Sequence, residues 1–343
     1  MKYKLLSVKR KLTDERNIGD YIQALASAQF LPRIDGFVNR EELKSYQEEE
    51  CAIIMNGWYM HDVTQWPPSE KIHPLFVAFH LNITVADKML SSEGINYLKR
   101  YQPIGCRDQY TTDVLKSKGI DAYFSGCMTL TLGYKYKNEV KDNTCYVVDP
   151  IIPSSHSFDL ILKDLVFFFS NKKDVNFVAK KMGLSGSFKE RLKASRYLRT
   201  YSKYFDKNDL VNAVYISQQN EGFGSGMKDD MHRLQTAEDL VRRYAKARLV
   251  ITKRIHCALP CLGLETPVVF LKKETTEEVS SCRFEGLTEL LNVMEVTGSN
   301  LIPKFEINSK ISITNPVCNK DTWKKYANSL IKKCNNFIDN GMV

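Results

Sequence analysis

Apolar positions along this chain gather into short runs of strand length, separated by stretches in which they recur with helical period. The runs at residues 2–8, CAIIMNGWYM (51–60), PLFVAFHLN (74–82), a short one ending at Arg107, TCYVVDP (144–150), LVNAVYISQ (210–218) and TPVVFL (266–271) read as strands. YIQALASAQFL (21–31), residues 86–101, QYTTDVLKSKG (109–119) and TAEDLVRRYAKA (236–247) read as helices. Their ends carry punctuation. Asp20 and Gln23 form a capping-box-like pair, Asp108 caps the helix that Gly119 closes, and Thr236 stands as an N-cap. Strands alternating with helices in this way predict an α/β protein with parallel sheet.

The most informative stretch is RLVITKRIHCALPCLGLETPVVFL (248–271). It reads as a buried strand, a tight joint, a short apolar helix with Pro260 in its first turn, and a second buried strand. If the first strand runs on to His256, alternation places Thr252, Arg254 and His256 on one face. Ligands of open parallel sheets sit beyond the carboxyl ends of the strands, and a helix opening there favours anions. Arg254 and His256 are therefore candidates for an anion pocket.

A length of 343 residues exceeds one ordinary core, so two domains are expected. The divisions expected are 1–154, a basic aromatic helical connection at 155–207, a second domain at 208–320, and a terminal helix at 321–343 packing back on the body. That last helix spaces Trp323, Tyr326, Leu330, Cys334 and Phe337 along one face. The net charge of +9 points to anionic partners. Nine cysteines without a CxxC pair read as reduced thiols, and Cys257 and Cys261 as packed side chains rather than metal ligands. The glycine-rich QNEGFGSGMKDD is neither a dinucleotide fingerprint nor a phosphate loop. No nucleic-acid motif accompanies the basic residues. MKYKLLSVKRKL lacks a signal-peptide core and LVFFF (165–169) is far short of a span, so a cytoplasmic protein is expected. The lysine-rich, aromatic stretch at 172–207 invites weak contact with an anionic membrane face, against the blander reading of a solvated linker.

NIGDYIQA, IIMNGW, PIGCRDQYTTDVLKSKGI, FSGCMTLTL and YAKARLVITKRIHCALPCLGLETPVV occur in order between residues 17 and 271. In these elements the chain resembles the polysaccharide pyruvyl transferase family; NGW departs from the glycine run many relatives have there. The resemblance implies two Rossmann-like domains facing a cleft, similar to GT-B glycosyltransferases. It implies transfer of pyruvate from phosphoenolpyruvate to two hydroxyls of a sugar as a cyclic ketal, on a cell-surface polysaccharide or a polyprenyl-diphosphate-linked precursor. Phosphoenolpyruvate would be a co-substrate, with no cofactor and no metal. Catalytic roles carry over to Arg107 and His256, with Arg254 in the same RxH element. Arg107, Arg254, His256 and Cys257 are then expected at the donor. Asn17, Gly19, Asp20, Asn56, Trp58 and His80 are expected at the acceptor.

Planar arginine forks suit a carboxylate and a phosphate, and a histidine suits proton delivery to the methylene carbon. Asp20, His80 and Asp108 are open candidates for the base. A nucleotide-sugar glycosyltransferase and a non-catalytic glycan-binding protein are the competing classes.

Overall fold

The computed structural model describes residues 1–8, 17–154, 157–219, 229–274 and 282–340. Residues 9–16 and 220–228, which hold the end of MKYKLLSVKRKL and most of QNEGFGSGMKDD, lie outside the described residues, as do 155–156, 275–281 and 341–343. The α/β class takes the form of two six-stranded sheets. In the first, β1 (Lys2–Ser7), β2 (Gly36–Asn39), β3 (Cys51–Tyr59), β4 (Ile72–Leu81), β5 (Ile104–Cys106) and β6 (Ala122–Phe124) run parallel in the order β2-β1-β3-β4-β5-β6. The second has the order β12-β11-β10-β9-β7-β8. Its strands are β7 (Cys145–Val148), β8 (Val214–Ile216), β9 (Leu249–Thr252), β10 (Val268–Lys273), β11 (Asn292–Thr297) and β12 (Asn300–Pro303), parallel except for the β11–β12 pair. Parallel strands covered on both faces lose the in–out alternation of a half-exposed sheet. β7 and β9 are buried at every position, as that rule requires.

The helices are α1 (Gly19–Ala28), α2 (Ala86–Met89), α3 (Ser92–Arg100), α4 (Gln109–Ser117), α5 (Gly133–Tyr136), α6 (Phe158–Ser170), α7 (Lys172–Lys181), α8 (Phe188–Tyr201), α9 (Lys207–Asn212), α10 (Asp230–Lys246), α11 (Ile255–Gly263) and α12 (Lys324–Asn340). Several expected ends move. The helix read over 86–101 breaks into α2 and α3, with Ser91 capping the second. Asp229, rather than Thr236, caps α10, its carboxylate accepting from His232 N at 2.7 Å. Residues 210–212 of the strand expected at 210–218 close α9 instead. Asp20 lies inside the first turn of α1, where its carboxylate accepts from the Gln23 amide at 3.2 Å.

Two of the expected divisions change. β7 sits between β8 and β9, so the chain leaves the first sheet between β6 and β7 rather than after residue 154. Residues 155–207 are not a connection. Phe168, Val175, Val178, Ala194, Tyr197, Leu198 and Tyr201 from α6, α7 and α8 share a core with Val147, Ile251 and Val269 of the second sheet. Their aromatic and apolar side chains bury against strands, which is what a covering layer of a parallel sheet must do. α12 has Leu330 and Cys334 in the central core and Ile338 against Tyr3 and Ala52 of the first sheet.

The two sheets are joined across one seam. Tyr21, Ile22 and Leu25 of α1 lie in the same core as Leu240, Val241 and Tyr244 of α10 and Leu259 and Leu262 of α11. Tyr21 donates its hydroxyl hydrogen to Asp230 at 2.6 Å. At Gly263 of α11 a Cβ would come within 2.4 Å of the Leu130 carbonyl oxygen, so only glycine lets these backbones meet there.

Candidate active site

The carboxyl ends of both sheets open on one cavity of about 380 Å³. Asn17 and Asp20 reach it from beyond β1, Arg40 from beyond β2, Trp58 from β3, His80 and Asn82 from the end of β4, and Arg107 from beyond β5. Gln218 from beyond β8, Lys253, Arg254 and His256 from beyond β9, and Arg283 from beyond β10 complete it.

The second-sheet wall differs from the expected strand. β9 ends at Thr252, Arg254 occupies the N-cap position of α11, and His256 lies in the first helical turn with ψ of 24°. Thr252 is buried, and its hydroxyl accepts from Arg254 N at 2.9 Å, turning the chain sharply at that point. Pro260 falls in the second turn rather than the first. It has no N–H to give the carbonyl four residues back, which is that of His256. The Gln218 amide donates to that carbonyl instead, at 3.4 Å. Gln218 itself is held by Asp149, whose carboxylate accepts from Gln218 N at 2.9 Å and from Arg254 Nε at 2.7 Å. With Nε engaged by Asp149, the two terminal nitrogens of Arg254 are the part of its fork left for an anion. Gly19 is where α1 touches this wall. A Cβ at Gly19 would stand 3.1 Å from His256 Nδ1, so the glycine seats the imidazole rather than a ligand. His256 Nε2 is buried without a hydrogen-bond partner among the described residues.

The first-sheet wall depends on a bulge. Met55 pairs with Phe76, but Gly57 pairs with Phe79, so β4 carries one extra residue, and Ala78 there has φ of +51°. Without it His80 would share the face of Phe76, inside the core. The extra residue flips the alternation and turns His80 to the cavity, a recognised use of bulges. Ser125 Oγ accepts from Ala78 N at 3.0 Å and satisfies the displaced backbone. His80 Nδ1 meets Asp108 Oδ2 at 2.5 Å. The other oxygen of Asp108 accepts from Thr111 N at 2.9 Å and from Thr111 Oγ1 at 2.8 Å, as the N-cap of α4. Arg107 Nε lies 3.7 Å from Asp108 Oδ2, and that nitrogen has no hydrogen-bond partner among the described residues. Beside these, the Arg40 guanidinium lies 5.2 Å over the Trp58 ring and 3.9 Å from Asp20.

Of the expected residues, the cavity thus brings together Asn17, Asp20, Trp58, His80, Arg107, Arg254 and His256. Asn56 is turned away and donates to the Gln23 carbonyl at 3.0 Å, while Cys257 is fully buried in the central core. Sequence reading missed Arg40, Asn82, Lys253, Arg283, Gln218 and Asp149. For Lys253 and Asp149 the available signal was a polar residue immediately after a buried strand. The cavity draws Arg107 from the end of the first sheet and Arg254 and His256 from the end of the second.

Among the described residues, five cations (Arg40, Arg107, Lys253, Arg254 and Arg283) line the cavity against the single carboxylate of Asp20. Burial lowers the pKa of His256 well below the ordinary histidine value, and the charges of Arg107, Arg283 and Arg254 lower it further. Burial and then the Arg107 charge bring His80 down to about 4, against the opposing pull of Asp108. Burial pushes Asp108 up, yet the hydrogen bond and charge of His80 and the charge of Arg107 leave its carboxyl below the usual range. Near neutral pH the pair is therefore a carboxylate and a neutral imidazole.

The family description "Polysaccharide pyruvyl transferase" matches residues 17–272, about three quarters of the chain. The chain belongs to the polysaccharide pyruvyl transferase family. No curated protein and no solved structure matches it. The matched region contains every cavity residue named above except Arg283. Membership makes the protein a transferase whose chemistry is pyruvyl transfer to a polysaccharide.

Proposed function

We propose that the donor is phosphoenolpyruvate, that the product is a cyclic ketal across two hydroxyls of one sugar, and that inorganic phosphate is released. The acceptor would be a cell-surface polysaccharide or its lipid-linked precursor. In this reading the two sheets are the Rossmann-like halves of a GT-B-like transferase. The observation that carries it is the placement of Arg107, Arg254 and Arg283 around His256, whose charges all act on that imidazole. A small trianion bearing a carboxylate and a phosphate fits such a set of forks.

In the proposed sequence His256 Nε2 gives its proton to the methylene carbon, which becomes the methyl group, and positive charge develops at the neighbouring carbon. A sugar hydroxyl attacks that carbon as His80 Nε2 takes its proton. Asp108 keeps the His80 proton on Nδ1, so the lone pair of Nε2 is available. The bond to the phosphate oxygen breaks, and the second hydroxyl closes the ring. One of the two hydroxyl protons replaces the one His256 delivered, and the other leaves with phosphate. Trp58, Arg40 and Asp20 would present a ring face and polar groups to the acceptor sugar.

Phosphate release from phosphoenolpyruvate and UDP release from UDP-sugars, each with purified protein and a hexose or hexosamine glycan acceptor, test the reading. Release with phosphoenolpyruvate and an acceptor mass gain corresponding to one pyruvyl ketal is expected. Turnover of a UDP-sugar instead would make the protein a glycosyltransferase.

Two further outcomes follow from the site. His256 is neutral in the empty cavity because it is buried and because three arginines add to the cost of its charge. A bound trianion offsets those charges and raises the histidine pKa, so donor binding should take up a proton and tighten as pH falls through neutrality. Calorimetric titration in buffers of different ionisation enthalpy should show this uptake in the wild type and its loss in His256→Gln. Equal uptake by both proteins would remove His256 from the coupling. Arg107→Lys should raise the phosphoenolpyruvate KM at least about tenfold, because an ammonium keeps the charge but not the two-point fork. An unchanged KM would exclude Arg107 from the donor contact.

A further inference from the structure

α6 covers the second sheet but carries a second apolar face on its outer side. Its carboxylate, Asp164, is fully buried and held by Arg196 Nε at 2.8 Å and Arg199 Nε at 2.9 Å, both from α8. Phe168 packs inward, into the core of the second sheet, but a row of other apolar side chains points outward. Phe158 is 79% exposed, Leu162 50%, Val166 60% and Phe169 68%. These positions recur at three- and four-residue spacing, so they form one stripe on the side of the helix opposite Asp164. Phe188, at the start of α8, is a further exposed aromatic beside α6, edge-on to the buried Phe168 at 5.4 Å. A monomer gains nothing from this arrangement in water, since an ion pair has been dehydrated while phenylalanines remain wet.

The surroundings point to one occupant. Residues 157–207 carry nine lysines and three arginines against five acidic side chains, so most of the chain's net charge of +9 resides there. Lys163, Lys172, Lys173 and Lys189 are exposed and adjoin the apolar stripe in sequence. Exposed aromatic and aliphatic side chains flanked in sequence by lysines match the boundary of an anionic bilayer, where the apolar groups enter the acyl region and the ammonium groups meet phosphates. Among the described residues no helix is long and apolar enough to cross a membrane. We propose that the protein docks on an anionic membrane surface through the outward apolar face of α6. The lysine-rich α7 and α8 therefore contribute charge at the rim, whereas their aromatic residues Tyr197 and Tyr201 belong to the core.

The position suits the proposed chemistry, and this clause alone rests on that reading. α6 follows β7 after a short loop that begins with Asp149, the partner of Arg254, so the face starts near the cleft end of the second sheet. A sugar carried on a membrane lipid would be presented from that direction.

The test is co-sedimentation of the full chain with vesicles of phosphatidylcholine alone or with phosphatidylglycerol, at low and physiological salt. Binding to the anionic vesicles only, weakened by salt, is expected. Phe158→Gln, Leu162→Gln, Val166→Gln and Phe169→Gln combined should lower the partition coefficient by roughly 100-fold. Lys163→Glu, Lys172→Glu, Lys173→Glu and Lys189→Glu combined should lower it by a similar factor. Because every substituted side chain is exposed, circular dichroism and the melting temperature of both variants should match the wild type. Three results would overturn the proposal. One is a wild type that sediments with neither vesicle. Another is an apolar-face variant that sediments like the wild type. The third is a wild type that ignores vesicles but forms a dimer, by light scattering, that the glutamine variant dissolves; the face would then bind a second copy. None of these bears on phosphate release with a soluble acceptor, so failure here is distinguishable from failure of the proposed reaction.

Discussion

Replacing His256 with glutamine is expected to lower turnover by about 10²–10⁴-fold, the usual worth of a positioned general acid. Glutamine nearly matches the imidazole in volume and is equally neutral in the empty cavity, so the wall of α11 should keep its shape. The carbonyl of residue 256 should still accept from Gln218, since that contact involves backbone. What disappears is a group that can be protonated once the donor offsets Arg107, Arg254 and Arg283. The loss should therefore appear in kcat, with a much smaller change in the phosphoenolpyruvate KM. Steady-state phosphate release measures both. A variant with near-normal kcat would show that the proton reaches the methylene carbon from elsewhere.

A comparable fall is expected from Asp108→Asn, although Asp108 touches no substrate in the proposed scheme. Asparagine is as good an N-cap as aspartate, so its Oδ1 can still accept from Thr111 N and α4 should keep its start. The difference falls on His80. Facing an amide NH₂ in place of a carboxylate oxygen, the ring would accept at Nδ1 and carry its proton on Nε2. The lone pair needed to receive the sugar proton is then gone, and turnover should drop by about 10²–10⁴-fold, as it should in His80→Gln. The double variant should be no worse than either single one, because both remove one function. The melting temperature separates this from a merely structural role, since Asp108→Asn should change it little. In the wild type, kcat/KM should decline as pH falls through about 4, where His80 becomes protonated. Normal turnover in Asp108→Asn beside an inactive His80→Gln would reduce Asp108 to a helix cap.

Much of this site was legible before any coordinates. Arg254 and His256 stood out because a buried strand must end, and the polar residues after it in a parallel sheet face the ligand side. Asp108 read as a cap because a short acidic side chain ahead of a helical pattern satisfies a free N–H, and that role is met at Thr111. The cap reading, correct as far as it went, concealed the second oxygen of Asp108. Which imidazole lies against it depends on β4 pairing with β3 and β5, an arrangement no local pattern encodes.

What the sequence determined by itself was which segments must be buried and with what period, and hence the α/β class and the strand ends where chemistry collects. Family motifs added Arg107, and an expected catalytic role for His256, to that reading. Burial periodicity does not say against what a face is buried, and the rest was decided there. TCYVVDP looked like the last strand of the first half, yet β7 joins the second sheet, because a fully apolar run fits any central slot of a parallel sheet. The bulge at Ala78 reversed the face of His80, a one-residue event invisible to alternation. Arg40, Lys253 and Arg283 became cavity residues only when two sheets placed their carboxyl ends together. The stripe on α6 carried the same ambiguity in reverse. Its apolar residues have helical period and would pass for a core face, until Arg196 and Arg199 of α8 draw Asp164 inward and leave Phe158 and Phe169 outside.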